Sequence, residues 1–537
     1  MQAVASLSRA PGAKGARFIV FLCILALFFG LNGQIPARLV AISSPLRMLI
    51  YLLIIVSCLV ALLACVIARP LWASLGLALA GGNFLVGASF FRIRGRSLTL
   101  LDSQSLLEGV ANVGDVLHQF GPSILFVLLQ IGLLLGLLLV ARRLEARRSN
   151  LPLFAASLAM VAGYFGTLGL AGDTAVGGFP TVASPALSAL TLTGDLAIRH
   201  RRDSAGPAMP FQELPLDPAV RHVLLVIDES IEGARFNELC GPSSAANLRN
   251  LGVAYSYGNN SACSNLMLRR GADPQDPGGT VHRFPSLFQV ALHSGFSTSY
   301  LDCQGVLNDP TVQDYFDGPE KALIGTTVLA RSLGREEYDR DLNGLHALKE
   351  LLDQPGRSFT IINKVGTHFP YRDCLPAELA GTPDPYAVSV RRTTLQWLDR
   401  LRADLPMGTL VFYTSDHGQN FIGKVSHGNF PGECVVSEWT VPMVILASPD
   451  LQTRLERIDR RWQDRASHAV MVEAVRNLLG QRCPAINSLW LPPGPADLQL
   501  HRAYYGSPLG LFGRPTPYLM IDMNRRAFTE TPTPAAP

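Results

Sequence analysis

Five uncharged apolar stretches, at 18–36, 48–67, 71–91, 122–140 and 151–171, fill most of the first third of this chain. A run of about twenty apolar residues is long enough to cross a hydrocarbon core as a helix. Five in succession argue against buried helices of a soluble protein, and they set the positive mean hydropathy of +0.23 over 537 residues. The first is too long for a cleaved leader, lacks a small-residue cleavage pattern and runs straight into the second. The expectation is a transmembrane domain of five helices over 1–172.

Lys and Arg orient it. Arg9, Lys14 and Arg17 precede the first stretch, and Arg142, Arg143, Arg147 and Arg148 fall between the fourth and fifth. Both groups belong on the cytoplasmic side, which puts everything after the fifth stretch across the membrane. Arg92, Arg94 and Arg96 would then be external, on a long loop of mixed polarity reaching about residue 121. That loop reads as a surface element against lipid phosphates or as a solvated loop. Three cysteines, Cys23, Cys58 and Cys65, lie in the apolar stretches, whereas Cys240, Cys263, Cys303, Cys374, Cys434 and Cys483 lie beyond them. Six cysteines on the oxidising side suggest disulfides. The net charge of +4 is small, and no basic run with interleaved aromatics points to nucleic acid.

Residues 173–218 read as a Gly-, Pro-, Ser- and Thr-rich connector with one helix-like piece at 186–198. From 219 to 525 strand-like runs (223–227, 297–301, 359–365, 409–413, 441–446) alternate with helix-like ones (341–353, 388–403, 466–479), the pattern of an α/β domain with a mostly parallel sheet. The tail 526–537, ending Thr-Pro-Thr-Pro-Ala-Ala-Pro, reads as disordered.

Three of these strands end in polar clusters: Asp228-Glu229-Ser230, Gly366-Thr367-His368 and Ser415-Asp416-His417-Gly418. A fourth cluster, Ser426-His427-Gly428, follows. Open α/β sheets bind ligands at the carboxyl ends of their strands, so the clusters share one rim. Their mix of carboxylate and imidazole suits Zn²⁺ better than Ca²⁺ or Mg²⁺.

This combination resembles the membrane phosphoethanolamine transferases of the alkaline phosphatase/sulfatase superfamily, over almost the whole length. The family's Gly-Glu-Thr is similar to Asp228-Glu229-Ser230, which gives Glu229 a zinc-ligand role. Its Ser-Asp-His-Gly looks identical to Ser415–Gly418, which adds Asp416 and His417. Its Gly-Ser-His-Gly-Pro and later His-Gly resemble Gly366–Pro370 and His427-Gly428. The resemblance implies that His368 and His427 bind a second zinc or meet the substrate phosphate, so one or two Zn²⁺ are expected. The family's Ser-Cys-Gly-Thr carries the nucleophile on Thr. Here the run is Ser261-Ala262-Cys263-Ser264-Asn265, and alignment on Cys263 puts an amide in that place. Ser264, one residue away, is the expected nucleophile and a metal ligand, and Ser261 is the second choice. The segment lacks the Cys/Ser-x-Pro-x-Arg of formylglycine sulfatases.

The resemblance implies an α-helical membrane domain joined to an alkaline-phosphatase-like (sulfatase-like) α/β domain on the periplasmic face of a bacterial inner membrane. It implies transfer of phosphoethanolamine from phosphatidylethanolamine, through a zinc-activated serine, to lipid A, a core sugar or another envelope glycan. The alternatives are a phosphoglycerol transferase or phosphodiesterase of the same superfamily, and an inactive membrane-anchored relative that binds or assembles.

Overall fold

The computed structural model describes residues 13–41, 45–95, 98, 113–145, 148–171, 179–202, 210–241, 246–305, 307, 316, 318–334, 336–369, 371–372, 374–422, 426–429, 431–505 and 516–529. Two compact units divide the chain at Ile198/Arg199. Most of the loop at 96–112 and the end of the tail, 530–537, lie outside the described residues.

The first unit is helical: α1 (Ala13–Leu31), α2 (Gln34–Ala41), α3 (Pro45–Ala64), α4 (Pro70–Arg94), α5 (Val113–Leu144), α6 (Leu151–Ala171) and α7 (Ser184–Arg202). Hydrogen bonds collect helix ends at one pole. Arg142, in the last turn of α5, donates to the carbonyls of Cys65, Val66 and Ala68 just past α3. Arg17, near the start of α1, donates to Leu144 O at the end of α5. The N–H of Arg69, before α4, donates to Asn150 Oδ1, before α6. The starts of α1, α4 and α6 therefore meet the ends of α3 and α5, so the five helices alternate in direction. A guanidinium over the carbonyls that end a helix is the favourable polarity.

By length and composition, two described helices are apolar enough to cross a membrane, Pro70–Arg94 and Phe120–Leu144. The apolar helices Arg17–Leu31, Met48–Ala64 and Leu151–Gly166 are shorter, so five spanning helices are not established. The first expected span fails as one helix because α1 stops at Leu31. Asn32 there turns its side chain onto Phe28 O and Thr181 instead of continuing the helix.

The second unit is built on a mixed seven-stranded sheet in the order β3-β8-β7-β2-β6-β4-β5. The strands are β2 (His222–Asp228), β3 (Leu248–Tyr255), β4 (Ser297–Asp302), β5 (Thr326–Leu329), β6 (Ser358–Asn363), β7 (Thr409–Ser415) and β8 (Thr440–Ala447), preceded by the two-residue β1 (Gln212–Glu213). β7, β2, β6, β4 and β5 run parallel, and β8 is antiparallel to both β7 and β3. β2, β6, β7 and β8 are buried along their whole length, as near-continuous apolar strands must be when helices cover both faces.

Alternate residues feed two cores. Leu225, Ile361, Phe412 and Ile445 pack with α10 (Leu287–His293) and α13 (His468–Leu478). Leu224, Ile362, Val411 and Leu446 pack with α8 (Gly233–Cys240), α11 (Glu337–Leu352) and the helical stretch 385–403, here α12. Each such apolar side chain contributes about 1.5–3 kcal/mol on burial. β1 pairs antiparallel with β9 (Gln481–Arg482), and a further antiparallel sheet of β10 (Leu500–Tyr504), β11 (Tyr518–Asp522) and β12 (Ala527–Phe528) follows. Residues 527–528, counted in the expected disordered tail, are thus a paired edge.

No disulfide is seen among the described residues, which corrects the expected disulfides. The cysteines serve as packing groups instead. Cys263 and Cys483 sit in one apolar cluster, and Cys303 and Cys374 in another. Burial pushes the Cys303 and Cys483 thiols up and carries Cys434 up to about 12, keeping them neutral and unreactive.

Candidate active site

Parallel β2 and β7 are adjacent, with Asp228 level with Ser415. The residues immediately after these strand ends, Glu229 and Asp416-His417, therefore leave the sheet side by side. Two close approaches hold the turns. A Cβ on Gly366 would lie 2.3 Å from Asp228 Oδ1, and one on Gly418 would lie 2.0 Å from Ser437 O. No side chain fits at either place. Ser230 takes a left-handed φ of 62°, an uncommon conformation that its contacts impose. Its N–H donates to Asp416 Oδ1 at 3.0 Å and its hydroxyl to Glu229 Oε1 at 2.7 Å.

Glu229, Asp416 and His417, all buried, bring one ligand atom each within 4.8 Å of one another. His417 Nδ1 lies 2.8 Å from the carbonyl of Gly418, an acceptor, so Nδ1 carries the hydrogen and Nε2 faces the carboxylates. Nε2 is 3.4 Å from Glu229 Oε1 and 3.5 Å from Asp416 Oδ2. Asp416 Oδ2 is buried and has no hydrogen-bond partner among the described residues. Burial and the neighbouring Glu229 push the Asp416 carboxyl up to about 8. Burial opposes charge on His417, but the two carboxylates outweigh it and hold the imidazole at about 9. Burial would likewise raise Glu229, yet hydrogen bonding and charge from His417, with help from His368 and Ser230, bring it well below the carboxylate range. Two carboxylate oxygens and an imidazole nitrogen converging in a dry place need a proton or a cation between them. The donor set fits a divalent metal held by three protein ligands with a position left open.

The helix α9 (Ser261–Arg270) points its first turn at this cluster. Asn260 caps it by accepting from Cys263 N–H, and Gly271, in the left-handed region at φ 77°, ends it. Ser261 Oγ lies 3.3 Å from Glu229 Oε2 and 3.3 Å from His417 Nε2. Ser264 is one helical turn further on, fully buried, and its Oγ is engaged with the N–H and carbonyl of Gly258 at 3.3 and 3.2 Å. The fold brings Ser261, and not Ser264, to the cluster. The His427 ring lies over that of His417 with centroids 4.2 Å apart. His368 is half-buried and close enough for its charge to act on Glu229.

Two supports escaped the sequence reading. Gln304, after β4, donates to Glu229 Oε2 at 3.0 Å and to Lys364 O at 2.8 Å. Lys364, fully buried behind the site, places Nζ 2.6 Å from Asp228 Oδ2 and 3.7 Å from Asp341 Oδ2, and donates to Thr393 O. Asp228 Oδ2 also accepts from Tyr413 and Thr394 hydroxyls, while Asp341 accepts from the N–H groups of Val365 and Gly366. A lysine following the apolar 359–363 was the available signal, since an unpaired ammonium there would be untenable. Removing one partner of such a buried network leaves the other charges stranded. Lys364→Met is expected to cost about 3–5 kcal/mol, read as a fall in the unfolding midpoint of the purified full chain. A midpoint unchanged within error would mean the network is dispensable.

No protein-family model and no curated protein sequence matches the chain. Solved structures do. The chain is similar to periplasmic domains of phosphoethanolamine transferases. The zinc complex of the C-terminal periplasmic domain of EcEptC from Escherichia coli aligns at 16% identity and TM-score 0.44, over 59% of this chain and 96% of that one. The soluble domain of lipooligosaccharide phosphoethanolamine transferase A from Neisseria meningitidis aligns at 20% identity and TM-score 0.41, over 51% and 92%. The phosphonate monoester hydrolase of Agrobacterium radiobacter aligns at 12% identity and TM-score 0.39, over 57% and 90%.

Proposed function

We propose that this chain is a membrane-anchored, zinc-dependent phosphoethanolamine transferase whose nucleophile is Ser261. The observation that carries the reading is the Ser261 hydroxyl, set at the start of a helix within 3.3 Å of both Glu229 and His417. Glu229, Asp416 and His417 would hold the metal, which, when bound, polarises phosphoryl oxygen and makes a serine hydroxyl a competent nucleophile. The N–H groups of the first turn of α9 favour negative charge on Ser261 Oγ and on a phosphoryl group joined to it.

In the first half-reaction Ser261 Oγ forms a bond to phosphorus as the bond from phosphorus to the glycerol oxygen breaks. Diacylglycerol leaves after gaining a proton. In the second, a hydroxyl of lipid A, a core sugar or another envelope glycan attacks the same phosphorus and frees Ser261. His427 and His368 would contact the phosphoryl oxygens and exchange the protons. A phosphatidylethanolamine donor stays in the bilayer, which gives the apolar helices a purpose: holding the catalytic unit to the leaflet that contains it.

The experiment is to incubate the detergent-purified chain with phosphatidylethanolamine and map the adduct by mass spectrometry. Phosphoethanolamine on Ser261 supports the reading, and an unmodified protein under turnover conditions refutes it. A phosphoglycerol adduct from phosphatidylglycerol would select the phosphoglycerol transferase alternative.

The pole that gathers Arg17 and Arg142 is the cytoplasmic one by the positive-inside rule, and the alternation of the five helices from it supports a cytoplasmic amino terminus and a periplasmic catalytic unit. An alkaline phosphatase reporter fused after Pro537 is expected to be active in intact bacteria, and a fusion between α5 and α6 inactive. The reverse pattern would overturn the orientation.

A further inference from the structure

Behind the reactive groups lies a second buried carboxylate that the mechanism does not use. Glu438, in the short turn Val436–Glu438 before β8, is fully buried. Its Oε2 accepts from Asn259 Nδ2 at 2.9 Å and from the N–H of Asn429 at 3.0 Å. Its Oε1 accepts from Asn429 Nδ2 at 2.9 Å, the N–H of Val435 at 3.2 Å and Asn420 Nδ2 at 3.3 Å. Five N–H donors meet two oxygens, and only an ionised carboxylate offers acceptors to all of them. A glutamine would turn an NH₂ group toward donors.

Four of the five donors come from three separate segments, and the fifth, the N–H of Val435, from Glu438's own turn. Asn259 stands two residues before Ser261, Asn429 two after His427, and Asn420 three after His417. The segments are also tied directly. Asn259 Nδ2 donates to Asn429 O at 2.8 Å, and the N–H of Gly428 donates to Asn259 O at 2.8 Å. The Glu438 and Ser437 carbonyls accept from Gly418 and Gln419 N–H groups.

We infer that Glu438 is a positioning residue that fixes the turn bearing Ser261 and the loop bearing His427 against the His417 segment. The inference rests on the roles proposed above for Ser261 and His427. None of the five donors belongs to Glu229, Asp416 or His417, so the metal ligands keep their own contacts when Glu438 changes. The clamp therefore acts on where the nucleophile and His427 sit, not on whether metal binds.

The test uses the full chain in detergent, loaded with zinc, as parent, Glu438→Gln and Asn259→Ala. Hydrogen exchange of peptides covering 258–264 and 426–429 is followed together with zinc content and transfer kinetics. Glu438→Gln is expected to lose protection in both peptides, to keep the parent's zinc content and to lower kcat by about 10²-fold with little change in KM, since small misplacements of reacting groups cost that much. Asn259→Ala, which keeps the other four contacts of Glu438, is expected to loosen the same two peptides to a smaller extent. It carries the test if Glu438→Gln does not fold. Unchanged protection in both peptides, or loss of zinc in step with loss of protection, would overturn the clamp. If the parent transfers nothing, the functional reading fails, and the exchange measurements still decide the clamp.

Discussion

Ser261→Ala is expected to abolish covalent labelling from phosphatidylethanolamine and to reduce transfer on the order of 10⁴-fold or more, as removal of a nucleophile does in other enzymes that form covalent intermediates. Bound zinc and the unfolding midpoint should be nearly unchanged, because Ser261 is only part-buried and its neighbours keep their other hydrogen bonds. Ser264→Ala should behave in the opposite way. Its hydroxyl sits within the closed turn at Gly258, so losing it removes two buried hydrogen bonds, about 1 kcal/mol each, while leaving turnover measurable. Wild-type labelling in Ser261→Ala would defeat the assignment at once.

Asp416→Asn, Glu229→Gln and His417→Ala are each expected to lower zinc stoichiometry and remove transfer. The more telling result concerns stability. Zinc at about 100 times its dissociation constant should stabilise the parent by about 2.7 kcal/mol, through binding to the folded state alone, and that increment should disappear in each variant. In metal-stripped protein the sign should turn. Burial and the neighbouring Glu229 disfavour a charge on Asp416 when no metal is bound, so the neutral Asp416→Asn should leave the stripped protein as stable as its parent or more so. A carboxylate with a merely structural role would weaken the fold with and without metal. Calorimetry of stripped and zinc-loaded samples separates the two.

The parts of the site that could be read in advance were those at the ends of long apolar strands. Asp228-Glu229 and Asp416-His417 were placed correctly at one rim, because buried parallel strands announce themselves by composition and their last residues must face the same edge. The Ser261 helix was missed. Its sequence, SACSNLMLRR, is short and has no exposed polar face, since even Ser264, Asn265 and Arg269 are buried. The cap at Asn260 and the glycine at 271 were the only local signs. Alignment on Cys263 favoured Ser264 over Ser261, whereas helix geometry places the Ser261 hydroxyl beside the cluster and turns that of Ser264 to Gly258. β5 and the β10–β12 sheet were also overlooked. These short strands are partly exposed and gain their order from neighbours distant in the chain. The thiols could not be judged from their number, because packing in an apolar cluster and pairing look alike in sequence.

β2 occupies the centre of the sheet, yet its neighbours come from far downstream. Lys364 lies 136 residues beyond the Asp228 it contacts, and Asp416 lies 186 residues beyond Ser230. During synthesis the first ligand, Glu229, therefore waits on an unfinished sheet until β7 has been made. A nascent chain that has emerged only as far as β6 owns one of the three proposed metal-binding groups and would not compete for scarce zinc. Loading would thereby be postponed to a nearly complete polypeptide, and a truncated product would carry the proposed nucleophile, Ser261, without the means to activate it.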